Sequence, residues 1–139
     1  MKIAVLAWGS LIPKPKCLKI SGNWHFDGPK LPIEYARISC DGRLTLVIYE
    51  NADDLQTLWA YSYFEDLDSA VENLRCRENT PSINRIGYVT ENPIDFRSNV
   101  IPGIDKQIRT WAKDKNIDAV IWTDLPSNFE QERKIPLTE

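Results

Sequence analysis

Histidine occurs once in the 139 residues, as His25, and cysteine three times, as Cys17, Cys40 and Cys76. An odd set of cysteines without ligand-like spacing argues against a disulfide framework and a metal site, and favours reduced thiols in the cytoplasm. A catalytic thiol needs a base beside it, and His25 is the sole imidazole. Long apolar runs are also missing. The stretch Ile3 to Trp8 falls far short of the roughly 20 residues that span a bilayer, and no small-residue cleavage site follows it as in a signal peptide. Nor is there an excess of positive charge. Seventeen Lys and Arg against twenty Asp and Glu leave a formal charge of −3, which argues against a general nucleic-acid binder. Lys14, Lys16 and Lys19 lie close together, but Pro13 and Pro15 break the run, which reads as a solvated loop. Walker, dinucleotide and Gly-x-Ser-x-Gly patterns are absent.

Apolar bulk is abundant. Hydrophobic residues make up 42% of the chain, including five Trp, five Tyr and four Phe. A disordered chain does not carry such aromatic weight. The length suits one domain over residues 1–139, with Glu130 to Glu139 as a polar tail. Its core is large enough to fold without disulfides or metal.

The unbroken run Ile3 to Ala7 predicts a strand buried on both sides, ending at Trp8-Gly9-Ser10. Residues 13–30, punctuated by Pro13, Pro15, Gly22, Gly28 and Pro29, read as a long irregular excursion. Trp24 and Phe26 either anchor that loop or wall a small-molecule site. Strands are expected over Leu31 to Ser39 and Leu44 to Tyr49, joined at Cys40-Asp41-Gly42 as a hairpin, and over Leu58 to Phe64. Ser69 and Glu72 have capping-box spacing, so a helix is placed from Ser69 to Asn79–Pro81. A strand follows over Ile86 to Thr90. A second helix is expected with Pro102 at an early position. Ile101, Ile104, Ile108 and Trp111 form its apolar face, and Asn116 ends it. Ala119 to Trp122 then forms a short buried strand. The sum is a mixed α+β domain.

Glu78 carries the chemical signal. From Val71 to Glu78 a helix turns to within about 20° of two full turns, so the carboxylate shares the apolar face of Val71 and Leu74. Burial disfavours a charged carboxylate, and so do the carbonyls at a helix C-terminus. A group whose two protonation states are brought close in energy is suited to general acid/base work. The competing reading is a surface acid paired with Arg75 or Arg77. The strand entering the glycine turn offers a second element, because successive turn N–H groups form a concavity for a carboxylate and Ser10 adds a hydroxyl. Arg37 either grips a substrate carboxylate or covers a strand edge.

The order of these features resembles the γ-glutamylcyclotransferase-like superfamily. Trp8-Gly9-Ser10-Leu11 is similar to its opening Tyr-Gly-Ser-Leu, with tryptophan in the tyrosine's place. Tyr35-Ala36-Arg37 and Arg43-Leu44-Thr45-Leu46-Val47 resemble its next β segment. Leu74-Arg75-Cys76-Arg77-Glu78 resembles the helix bearing its catalytic glutamate, with Asn79 where many members have glycine, and Gly87-Tyr88 opens the later strand. The likeness covers roughly residues 3 to 90.

The resemblance implies a small mixed β-barrel with helices packed outside. It implies cyclisation of a γ-glutamyl compound to 5-oxoproline with release of an amine, without metal or organic cofactor. Glu78 then shuttles the proton, and Trp8, Gly9, Ser10 and Leu11 hold the ligand. Arg37 and Tyr88 are further substrate-binding candidates. The alternative is a non-catalytic metabolite-binding or interaction domain using the same pocket.

Overall fold

The computed structural model describes residues 1–38, 44–80 and 82–125. The expected hairpin turn at Cys40-Asp41-Gly42, the helix limit at Pro81 and the polar tail lie outside those residues. The elements are β1 (Ile3–Ala7), β2 (Ile20–His25), β3 (Lys30–Ile38), β4 (Leu44–Ile48), β5 (Asp54–Gln56), β6 (Leu58–Ser62), α1 (Leu67–Glu78), β7 (Ile86–Thr90), β8 (Phe96–Arg97), α2 (Ile104–Asp114) and β9 (Ala119–Thr123).

Six strands form one sheet in the order β2-β6-β1-β9-β7-β8. β1 lies at its centre, antiparallel to β6 and parallel to β9. Position and sequence explain each other here. Ile3, Val5 and Ala7 pack under α1 against Ala70, Val71 and Leu74. Ala4 and Leu6 face the opposite side, where Ile104, Ile108 and Ala112 of α2 cover the sheet together with Leu31, Ile33 and Ile48 of the second sheet. Side chains alternate between faces with period two, so a strand covered on both needs an unbroken apolar run.

The second sheet has three strands in the order β4-β3-β5. Among the described residues neither sheet closes, so the expected barrel is corrected to an open α+β fold with two sheets and two helices. Closure requires the last strand to pair with the first. Here β8 is a two-residue edge, and β2 is an irregular edge with a register shift between Ser21 and His25. The β3–β4 hairpin pairs with β5 in its own sheet rather than bridging those edges.

Three local expectations also change. The excursion over residues 13–30 contains β2, which pairs antiparallel with β6. Helix α1 begins at Leu67, capped by Asp66, whose Oδ2 accepts from Ser69 N at 2.9 Å. Glu72 does not complete a capping box and instead accepts two hydrogen bonds from Arg75. In α2 the chain enters through Gly103, so Pro102 precedes the helix. Asn116, at φ 58°, follows its last turn.

Trp122 is fully buried on β9 and lies opposite Gly87 on β7. A Cβ at Gly87 would overlap its indole ring, so glycine makes room for the largest core side chain. Among the described residues no helix is long and apolar enough to cross a membrane.

Candidate functional site

The parallel strands β1 and β9 end side by side, and the chain turns sharply after β1. After β1, Trp8 is extended and Gly9 adopts φ +63°. Residues Gly9–Leu11 then make one 3-10 turn, whose opening N–H groups have no acceptor one turn back. Trp8 Nε1 donates to Leu46 O at 3.1 Å, which ties this turn to β4. Leu46 also packs so near Gly9 that a Cβ there would sit 3.3 Å from its Cδ1.

Glu78 is the last residue of α1, and Asn79 stops the helix in the left-handed region at φ 53°. The helical register that buries Val71 and Leu74 carries the Glu78 side chain toward the end of β9. Thr123 Oγ1 donates to Glu78 Oε1 at 3.1 Å, and Arg77 Nη1 lies 3.7 Å from the same oxygen. The carboxylate is 17% exposed, so it is held at a wall that solutes reach.

These elements enclose a cavity of about 420 Å³. Leu6, Trp8, Gly9, Ser10 and Leu11 line it together with Tyr35, Arg37, Thr45 and Leu46 of β3 and β4. Glu78, Asn79 and Thr123 complete it. The structure therefore brings together Trp8, Gly9, Ser10, Leu11, Arg37 and Glu78. The volume lies within the range of small-molecule sites. An arginine and a glutamate in one cavity offer complementary partners for a ligand carrying both charges.

Tyr88 is not in this cavity. It packs with the α1-side core, donates through its hydroxyl to Asp95 Oδ1 at 2.9 Å, and lies under the Arg97 guanidinium. The Asp95 hydrogen bond, with burial, pushes its phenol above the ordinary value of 10.0. The structure does not bring Tyr88 together with the other candidate substrate-binding residues, because its hydroxyl is engaged by Asp95 away from the cavity. Trp24 and Phe26 do not line the cavity either. Trp24 packs against the α1-side core, and Phe26 is 77% exposed. His25 stacks on Trp59 at 4.3 Å between ring centroids.

Thr123 is a site residue that sequence reasoning missed, and Arg77, anticipated only as an ion-pair partner of Glu78, has a further role. Arg77 has an 8% exposed side chain and donates to Lys14 O at 3.0 Å and to Ser10 Oγ at 3.4 Å. It thus braces the helix end against the opening turn. Its place beside Glu78 was the only available signal. For Thr123 there was none beyond its position at the end of a buried strand.

A second cavity of about 410 Å³ lies among Ser82, Asn84, Arg85, Asn99 and Asp124. Burial pushes the Asp124 carboxyl above its ordinary 3.8. Its two oxygens accept from Asn99 N at 2.7 Å and Trp122 Nε1 at 3.4 Å, so this acid serves to join loops. No group of three or more His, Cys, Asp or Glu side chains is placed to hold a metal among the described residues.

No protein-family model matches the chain, and no curated protein or solved structure matches it.

Proposed function

We propose that the cavity binds a small γ-glutamyl compound and that the protein cyclises it to 5-oxoproline, releasing an amine or amino acid. The observation that carries this reading is that Glu78, the Gly9–Ser10 turn and Arg37 line one cavity. The likeness of the opening motif and the spaced glutamate to the γ-glutamylcyclotransferase-like superfamily supports the choice of reaction.

The substrate amine is tethered to the carbonyl it attacks, so the main requirement is a folded, attacking pose. Turn N–H groups and the Arg37 guanidinium grip the α-carboxylate. Glu78 takes a proton from the α-amine as its nitrogen bonds to the γ-carbonyl carbon. It returns a proton to the leaving nitrogen as the original C–N bond breaks. Thr123 keeps the carboxylate aimed. The setting in this reading is the cytoplasm, in keeping with the free thiols of Cys17 and Cys76.

One observation favours a second reading. Arg77 lies 3.7 Å from Glu78, and an ion-paired carboxylate suits a domain that only binds an amino-acid-like ligand. The test is a panel of glutathione, γ-glutamyl dipeptides and γ-glutamyl amines, followed for 5-oxoproline and for heat of binding. Turnover that falls about 100-fold or more in Glu78→Gln with binding retained supports catalysis. Binding without turnover in both proteins selects the second reading, and absence of both overturns the site.

A further inference from the structure

Cys17 and Cys76 are 59 positions apart in the chain, yet their Sγ atoms lie 3.0 Å apart at the surface. Both are free and exposed. Sequence spacing indicated no pairing, because the contact is made by a loop folding onto a helix. We propose that this pair is an oxidation site, which a low-molecular-weight disulfide converts into an intramolecular disulfide stapling the segment before β2 to α1.

Two features build the site. The sulfurs need approach by only about 1 Å to reach bonding distance. The backbone beside each is held by hydrogen bonds on both sides of the contact. Asn73 of α1 donates through Nδ2 to Cys17 O at 2.9 Å and accepts from Lys19 N through Oδ1 at 2.8 Å. Arg77, next to Cys76, donates to Lys14 O at 3.0 Å, and Leu18, next to Cys17, is buried in the core. Little ordering remains to be done when the bond forms.

The reaction balances as two exchanges. One thiolate attacks a sulfur of the small disulfide. That S–S bond breaks, a small thiolate leaves and takes up the proton released, and a mixed disulfide forms on the protein. The second cysteine, as thiolate, attacks the protein sulfur of that mixed disulfide and expels the second small thiol. Two protein thiols are oxidised and one small disulfide is reduced to two thiols. The product closes a covalent loop one helix turn before Asn79. It also fixes the segment carrying Lys14, whose carbonyl holds Arg77 beside Glu78.

The test treats the reduced full chain with oxidised glutathione and reads intact mass, free thiols and non-reduced peptides. The expected product has lost two hydrogen atoms and keeps one alkylatable thiol of the original three. A single cross-linked peptide pair contains Cys17 and Cys76, and Cys40→Ser oxidises in the same way. Cys17→Ser and Cys76→Ser, checked for folding by circular dichroism, each retain one glutathione at the remaining partner. Stable glutathione adducts on both Cys17 and Cys76 of the wild-type chain, or a disulfide involving Cys40, would overturn the proposal.

Discussion

Thr123 Oγ1 donates to Glu78 Oε1 at 3.1 Å, joining the end of β9 to the end of α1 across 45 residues of chain. The contact aims the carboxylate at the cavity. Thr123→Val removes the donor, and Thr123→Ser restores it. A hydrogen bond to a charged group is worth about 1.5–3 kcal/mol, so turnover on a γ-glutamyl substrate is expected to fall at least about tenfold in the valine variant. Recovery in the serine variant completes the expectation. Equal kcat in all three proteins would show that the hydroxyl does not position the acid.

Gly9 combines φ +63° with close packing on Leu46. Alanine there pays for a left-handed backbone, about 1–2 kcal/mol, and presses on a neighbouring side chain. Gly9→Ala is expected to unfold at lower urea and to raise KM more than it lowers kcat, since the turn binds rather than reacts. A variant as stable as wild type would remove the turn from the argument.

Gly87 faces the indole of fully buried Trp122. A methyl group forces overpacking, which costs about 1–3 kcal/mol. Gly87→Ala should lower the unfolding free energy by that amount and move the urea midpoint down accordingly. An unchanged midpoint would mean the two strands separate freely enough to admit a side chain.

Hydrogen bonds from the Ser69 hydroxyl and backbone N–H hold the Asp66 carboxyl below its ordinary 3.8. A lowered acid contributes stability that is complete above the unfolded value and is lost as pH falls through the folded one. Asparagine caps helices without titrating in this range. The melting-temperature advantage of wild type over Asp66→Asn is therefore expected near neutrality and should shrink well below pH 3.8. A difference that stays constant on acidification would exclude the carboxylate cap as its source.

The same cap shows where sequence reading reached its limit. Ser69 and Glu72 have the right spacing, but Asp66 caps one turn earlier and Arg75 takes both Glu72 oxygens. Local spacing identified a helix and the face that Glu78 shares, while competition among nearby polar groups chose the cap. Strand β2 escaped notice for a different reason. It is an edge strand, mostly exposed, so it lacks the apolar alternation by which strands are recognised. The cavity residues on β1, its turn and α1 were legible from motif and periodicity. Thr123 was not, nor was the brace from Arg77 to the opening turn, because both depend on contacts with chain far away.

Ile3 to Ala7 had to be a strand covered on both faces, and Val71, Leu74 and Glu78 had to share a helix face. Both follow from fixed backbone periods acting on local side chains. Whether the sheets closed, where Tyr88 pointed, and that Cys17 would meet Cys76 were decided only when distant segments packed. Such choices depend on which edges find partners and which loops cross which helices. No local period encodes them.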